Sequence, residues 1–221
     1  MTNSQGTAPT AAPLRERLRA SALLPGLLLA LFALVSALLL AVSSELTAAA
    51  IAQRKAEDLQ ASLSQVLPHA LYDNDPVKTI LTLDDTLEGP VAVHRARQGE
   101  AVSAVAFSLI GQGYAGGITV LMGIAPDGRV LGVRVLSHAE TPGLGDKIEA
   151  AKSDWILSFD GRSLSDPGLE GWRVKRDGGD FDQFSGATIT PRAVVATVHR
   201  GLSLFDRHRA ALLAPPPKEH D

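Results

Sequence analysis

The sequence contains no cysteine among its 221 residues. This absence excludes disulfide bridges, thiolate-bound zinc, iron–sulfur clusters ligated by the chain and a cysteine nucleophile. Positive charge is not in excess either, because 21 Lys and Arg stand against 24 Asp and Glu. A binder of nucleic acid that works by neutralising phosphates is therefore excluded. Aromatic residues make up only 5% of the chain against 45% apolar residues, so aliphatic side chains must build most of the core.

Charge is missing altogether from residues 20–44, a stretch dominated by Leu, Ala and Val. At about 1.5 Å of rise per residue, a helix of this length crosses a hydrocarbon core of roughly 30 Å. Basic residues precede it at Arg15, Arg17 and Arg19. The positive-inside rule then predicts a single-pass protein with residues 1–19 in the cytoplasm and everything after Glu45 on the other side of the membrane. In a two-membrane bacterium this is an inner-membrane protein whose main domain is periplasmic.

The segments around this stretch favour an uncleaved membrane anchor in a chain whose two ends are disordered. Residues 45–67 have the periodicity of an amphipathic helix that continues the membrane helix outward and stops at Pro68. Residues 1–14 and the proline-rich tail, residues 214–221, have the composition of disordered segments. A cleaved signal peptide is the alternative, since Ala48–Ala50 offers a small-residue site, but the apolar regions of signal peptides are only about 7–15 residues long.

Residues 45–213 are predicted to form one α+β domain with a central, mainly antiparallel sheet and flanking helices. Three runs rich in β-forming residues predict strands at Val102–Leu109, Gly117–Ala125 and Val130–Leu136. Residues 126–129, with the sequence Pro-Asp-Gly-Arg, are typical of the turn of a hairpin between the last two strands.

Helix signals follow the predicted strands. A short helix is expected at Asp146–Trp155, and Leu157–Arg176 is expected to be loop and strand. Thr190 is a suitable N-cap for a final helix that has Pro191 at its first position and continues to Leu213. The arginines of this helix are expected to form a solvated face: Arg192, Arg200, Arg207 and Arg209. The histidines are scattered, and no metal site is predicted.

Two loops containing glycine flank the predicted helices, His138–Asp146 after the third strand and Asp182–Pro191 before the final helix. A helix N-terminus presents unpaired N–H groups and partial positive charge, which suit a phosphate. Gly186 would allow close approach of the backbone, and hydroxyls around the same point would come from Ser185, Thr188 and Thr190. On spacing alone, however, an ordinary Ser/Thr-capped helix start is the favoured interpretation.

The order of residues in these loops resembles a known family. The stretch Asp182-x-x-Ser185-Gly186-Ala187-Thr188 resembles the flavinylation motif of covalent-FMN-binding domains. Two further stretches resemble the same family: Glu140-Thr141-Pro142-Gly143-Leu144-Gly145 and Gly113–Ile118. With one N-terminal anchor and this length, the chain is similar to the G subunits of Rnf (Rsx) ion-translocating electron transport complexes. The C subunits of sodium-pumping NADH:quinone reductases, which share the motif, are the alternative.

The resemblance implies an FMN attached through a phosphoester bond to Thr188 by an FAD-dependent flavin transferase, which would recognise Asp182. Ser185, Gly186 and Ala187 would surround the phosphate. The isoalloxazine or ribityl chain would be bordered by Glu140, Thr141, Gly143, Leu144 and Gly145.

In such a complex the domain would relay electrons between NADH and ferredoxin or a related low-potential carrier, together with other subunits that translocate ions. It would not be catalytic on its own, because the cofactor carries the redox chemistry. The alternative from a different class is a membrane-anchored ligand-binding or assembly domain without covalent flavin.

Overall fold

A computed structural model describes residues 23–215, and its longest element is the 44-residue helix α1 (Leu23–Val66). The predicted N-terminal tail, the first residues of the predicted membrane span and the tail from residue 216 onward lie outside the described residues. The predicted continuation of the membrane helix into an amphipathic segment is confirmed, since α1 runs without a break until two residues before Pro68.

The first part of α1 is apolar on all its sides. Leu24–Ala48 comprises 25 residues with a mean hydropathy of 2.6, and none of its most apolar window is buried. A helix that is hydrophobic all round needs an apolar environment, and at about 38 Å this one is long enough to cross a bilayer. By length and composition the candidate span runs to Ala48, four residues beyond the predicted end at Ser44.

A five-stranded antiparallel sheet follows, in which each strand pairs with the next along the chain. Its strands are β1 (Ile80–Asp85), β2 (Gly89–Gln98), β3 (Ala101–Gln112), β4 (Gly117–Ile124) and β5 (Val130–Ser137). The three predicted strands are confirmed as β3, β4 and β5, whereas β1 and β2 are not predicted. The charged side chains Arg95 and Arg97 and a register shift after Ala96 obscure the alternation of β2.

The second long helix, α2 (Ile189–Leu212), contains 24 residues and completes the domain. The prediction that Thr190 caps this helix is wrong, because the helix begins at Ile189 and already includes Thr190. Thr188 occupies the position before the helix, and its side chain makes no capping hydrogen bond. The Thr190 hydroxyl instead donates to the carboxylate of Glu140, a residue far away in the sequence.

The arginines of α2 are solvated in part, as predicted, with side chains 37–47% exposed at Arg192, Arg200 and Arg207. Each of the four also donates hydrogen bonds to another part of the chain. Their acceptors are Asp177 for Arg192, Glu88 for Arg200, Asp85 for Arg207 and the Pro126 carbonyl for Arg209. Four contacts of this kind hold α2 along its length.

The connection between β5 and α2 also differs from the prediction. The expected helix at Asp146–Trp155 is replaced by two short 3-10 helices, Asp146–Ile148 and Asp154–Phe159. The second is a separate element because Ser153 Oγ accepts a hydrogen bond from the Trp155 N–H at 3.0 Å and caps a new start. Within Leu157–Arg176 the described chain makes only isolated bridges instead of a strand.

Because side chains alternate between the two sides of a strand, the two faces of the sheet pack against different helices. Along β3, Val105, Phe107 and Leu109 belong to the core that α2 covers, and the alternating alanines face the last turns of α1. Both contacts are close. A Cβ on Gly123 would lie 2.1 Å from the Val66 carbonyl oxygen of α1. The result is a three-layer α+β domain with the first turns of α2 beside the end of the central strand β3.

Candidate functional site

A cavity of about 300 Å³ lies at the N-terminus of α2. Three segments supply its walls: the turn between β3 and β4, the loop after β5 and the turn that leads into α2. Seven of its lining residues are predicted site residues, namely Glu140, Thr141, Leu144, Gly145, Gly186, Ala187 and Thr188. Of the other three lining residues, Thr190 is expected only as the helix cap and as a nearby hydroxyl, and no individual role is predicted for Tyr114 and Ile189. The fold therefore brings the two glycine-containing loops together at one cavity.

Thr188 presents a hydroxyl that the helix does not use. Its backbone is already helical, at φ −68° and ψ −28°, and its carbonyl accepts a hydrogen bond from the Arg192 N–H at 3.3 Å. The side chain is half-buried and makes no capping bond. Since the first N–H groups of a helix have no partner within it, this hydroxyl lies beside unpaired donors and partial positive charge.

The turn before Thr188 is held by an aromatic anchor and a glycine. Phe184 is 8% exposed and packs edge-on against Trp155, with ring centroids 5.2 Å apart. Its carbonyl accepts a hydrogen bond from the Ala187 N–H at 3.1 Å. Gly186 has a φ of +79°, a left-handed conformation that other residues adopt at a cost. These contacts fix the direction in which the chain enters α2.

Glu140 joins all three walls of the cavity. Its side chain is 4% exposed, and its Oε1 accepts a hydrogen bond from the Ala115 N–H at 3.0 Å. Its Oε2 accepts from the Thr190 hydroxyl. Glu140 thereby links the β3–β4 turn and the first turn of α2 through the loop after β5.

The ring of His138 sets the direction of the Glu140 backbone. His138 Nδ1 accepts a hydrogen bond from the Glu140 N–H at 3.0 Å. The ring proton therefore lies on Nε2, which donates to Glu149 at 3.0 Å. This arrangement explains His138 as a structural residue of the loop.

Two glycines make room for the Glu140 side chain. A Cβ on Gly113 would lie 2.4 Å from Glu140 Oε1, and a Cβ on Gly145 would lie 2.9 Å from both Glu140 Cβ and Thr190 Oγ1. Contacts this short do not occur for real Cβ atoms, so any larger residue would displace the carboxylate. The need for glycine at these positions comes from the buried glutamate.

The loop after β5 is closed by its own hydrogen bonds and by a buried aspartate. The Thr141 carbonyl accepts from the N–H groups of Leu144 and Gly145, at 3.1 and 3.0 Å. Asp146 is 5% exposed and lies 3.0 Å from the Lys152 ammonium. A hydrogen bond from the Gly143 N–H, followed by the contact with Lys152, lowers the pKa of Asp146. The loop thus presents its wall of the cavity in one conformation.

Three predicted site residues lie outside the cavity lining. Ser185 is exposed, and Gly143 occupies the turn at a φ of +77°. Asp182 is also exposed, with its Oδ1 2.7 Å from the Lys175 ammonium, and its carbonyl accepts from Trp155 Nε1 at 2.8 Å. The Asp182 carboxylate therefore faces solvent, where another protein can reach it.

Comparisons with known proteins agree with this geometry. Residues 113–203 match the FMN-binding domain family, and residues 19–66 match the RnfG N-terminal region. Every residue that lines the cavity lies within the first match.

Two relatives, each named as the G subunit of an ion-translocating oxidoreductase complex, align along most of the chain. The protein from Cereibacter sphaeroides is 63% identical, over 98% of this chain and 99% of its own length. The protein from Pseudomonas aeruginosa is 48% identical, over 89% of this chain and 94% of its own.

A solved structure, that of the C subunit of a Na⁺-translocating NADH-quinone reductase from Parabacteroides distasonis, has the same fold. It aligns with a TM-score of 0.50 and 21% identity, over 71% of this chain and 94% of its own.

Proposed function

The chain belongs to the family of G subunits of ion-translocating oxidoreductase complexes, and from that membership we propose that it carries electrons on an FMN joined by a phosphoester bond to Thr188. As a family member it is part of a membrane electron-transport complex and contains an FMN-binding domain. The proposal adds the attachment point and the covalent bond.

The observation that carries the proposal is the state of the Thr188 hydroxyl. It lines the cavity and makes no capping bond, whereas the hydroxyl of Thr190 is committed to Glu140. Ser185 is exposed and does not line the cavity. Of the three hydroxyls in this segment, Thr188 is the one that combines position in the cavity with a free side chain.

The residues of the cavity fit FMN. A phosphodiester on Thr188 would keep one negative charge, which the N-terminus of α2 favours. Tyr114, Leu144 and Ile189 supply exposed apolar surface that suits a flat aromatic ring. When bound, the flavin supplies the electron-transfer chemistry, and the protein determines its position and surroundings.

Attachment requires a partner enzyme. In the proposed step the Thr188 oxygen attacks the phosphorus of FAD that bears the riboflavin, the bond between the two phosphates breaks and AMP leaves. The hydroxyl proton goes to a base, and no oxidation or reduction occurs. Threonine is a weak nucleophile without a base, and Glu140 in the cavity already accepts two hydrogen bonds. We therefore assign the base to a flavin transferase, with the exposed Asp182 as part of its recognition surface.

Within the complex we propose electron transfer between NADH and ferredoxin or a related low-potential carrier, coupled to ion movement by the other subunits. The basic residues before α1 support a cytoplasmic N-terminus, which would place the FMN-binding domain in the periplasm. Labelling of Ser185→Cys in intact cells with a reagent that does not cross the inner membrane tests this orientation.

Fluorescence under ultraviolet light after denaturing electrophoresis tests the covalent bond. The full chain, Thr188→Ala and Ser185→Ala are each co-expressed with an FAD-dependent flavin transferase. We expect a fluorescent band for the full chain and for Ser185→Ala, and none for Thr188→Ala. Mass spectrometry should locate one FMN, less one water, on the peptide that contains Thr188. A fluorescent Thr188→Ala band, or no band from any variant, would refute the covalent site.

A further inference from the structure

The cavity contains an acidic side chain that attachment of the cofactor does not use, that of Glu140. Both of its oxygens accept hydrogen bonds, and both donors are uncharged, the Ala115 N–H and the Thr190 hydroxyl. No salt bridge to Glu140 forms within residues 23–215, although its side chain is 4% exposed. Glu140 is thus a buried carboxylate without a cationic partner in the described part of the chain.

Folding alone does not require this charge. Burial of an ionised group without a partner of opposite charge costs free energy, and the partial positive charge of the α2 N-terminus offsets only part of that cost. A glutamine could make the same two contacts, with Oε1 accepting from Ala115 and its amide donating to the Thr190 oxygen. The link between the loops therefore needs a hydrogen-bonding side chain of this length but not a negative one.

We propose that Glu140 is a positioning residue whose negative charge lowers the midpoint potential of the flavin. This inference rests on the proposed function, because it requires FMN at Thr188 in the same cavity. A fixed negative charge in a site of low polarity raises the free energy of adding an electron nearby. The two hydrogen bonds hold that charge at the cavity wall and prevent it from turning toward solvent.

The test is a spectroelectrochemical titration of the covalently flavinylated full chain in detergent. Glu140→Gln removes the charge and retains both hydrogen bonds, and we expect its flavin potential to be more positive than that of the unaltered chain. Glu140→Asp retains the charge and should stay closer to the unaltered chain. A purely structural role would give the opposite order, because the shorter aspartate loses contacts that glutamine keeps.

Glu100→Gln is the matched control, because it makes the same change in net charge on an exposed turn at the other end of β3. The twelve residues of β3 that separate Glu100 from Gly113 span on the order of 40 Å of extended chain, several Debye lengths at physiological salt. We expect no shift in potential from this variant.

If Glu140→Gln does not fold, the double variant Glu140→Met, Thr190→Val removes the charge together with the hydroxyl it accepts from. An unchanged potential in the uncharged variant that folds, or an equal shift in Glu140→Asp, would overturn the inference and leave the covalent site intact. Absence of covalent flavin from the unaltered chain would instead overturn the proposed function, and this inference with it.

Discussion

Two threonines at the start of α2 should respond to the same substitution in opposite ways. Thr190 is 1% exposed and donates to a buried carboxylate, whereas Thr188 is half-buried and caps nothing. Valine has the shape of threonine without its hydroxyl. We predict that Thr190→Val destabilises the domain and keeps the flavin label, and that Thr188→Val removes the label and leaves stability nearly unchanged.

The size of the effect follows from the contacts. A hydrogen bond to a charged group contributes about 1.5–3 kcal/mol to the free energy of unfolding. In Thr190→Val, Glu140 loses one of its two donors at a position where burial keeps solvent from replacing it. For a domain of this size each kcal/mol shifts Tm by about 2–4 °C, so we expect a decrease of roughly 3–12 °C. Thr188→Val should change the free energy of unfolding by no more than about 0.5 kcal/mol.

The assay combines thermal unfolding of the full chain in detergent with in-gel flavin fluorescence on the same preparations. Stability is compared in chains expressed without the flavin transferase, so that the cofactor does not contribute. Equal losses of Tm in the two variants would refute the assignment of the hydrogen bond to Thr190. Loss of the label from Thr190→Val at unchanged stability would refute the assignment of Thr188 as the acceptor.

Two further predictions concern the support of the fold and of the site. Desolvation raises the pKa of buried Asp85, but hydrogen bonds from His208, the N–H groups of Leu87 and Glu88, and Arg207 outweigh it and lower that pKa. Its stabilisation is therefore present above the unfolded pKa of about 3.9 and is lost as the pH falls below it. Thermal unfolding measured as a function of pH should show that Asp85→Asn is less stable than the unaltered chain at pH 7 and loses less of its stability as the pH falls. Parallel plots of Tm against pH for the two proteins would contradict this. Gly113→Ala should lower the free energy of unfolding in urea by about 1–3 kcal/mol and reduce flavinylation, because the added Cβ would displace Glu140. Gly116→Ala is the control for backbone strain alone, since its Cβ meets no atom within 4 Å but its φ is +150°. An equal loss of stability in the two variants would contradict the steric argument.

Much of the fold can be predicted from the sequence, because the patterns that indicate its helices and strands are local. The apolar stretch that forms the first part of α1 is unmistakable, and β3, β4 and β5 have long β-forming runs separated by turn residues. β2 is hidden, because Arg95 and Arg97 interrupt its alternation and a register shift separates them. Its place in the sheet depends on pairing with β1 and β3, which no local pattern reveals.

The candidate site, like the fold, can be predicted from the sequence only in part. Family resemblance identifies the motif that ends at Thr188 and the loop that begins at Glu140, and the structure places both at one cavity. Tyr114 and Ile189 are not predicted as lining residues, because a single exposed apolar residue in a turn or at a helix start carries no signal of its own. A tyrosine between glycines in the Gly113–Ile118 stretch was the available hint.

By itself, the sequence determined the membrane helix, the order of most strands and the segment that holds the cofactor motif, since each of these depends on neighbouring residues. Only the tertiary structure decided which threonine is free. Capping propensity favours Thr190, but a glutamate fifty residues earlier in the chain accepts its hydroxyl, and the helix begins two residues sooner than a Thr190 cap implies. A contact over that distance exists only after the sheet has formed and brought the two loops together.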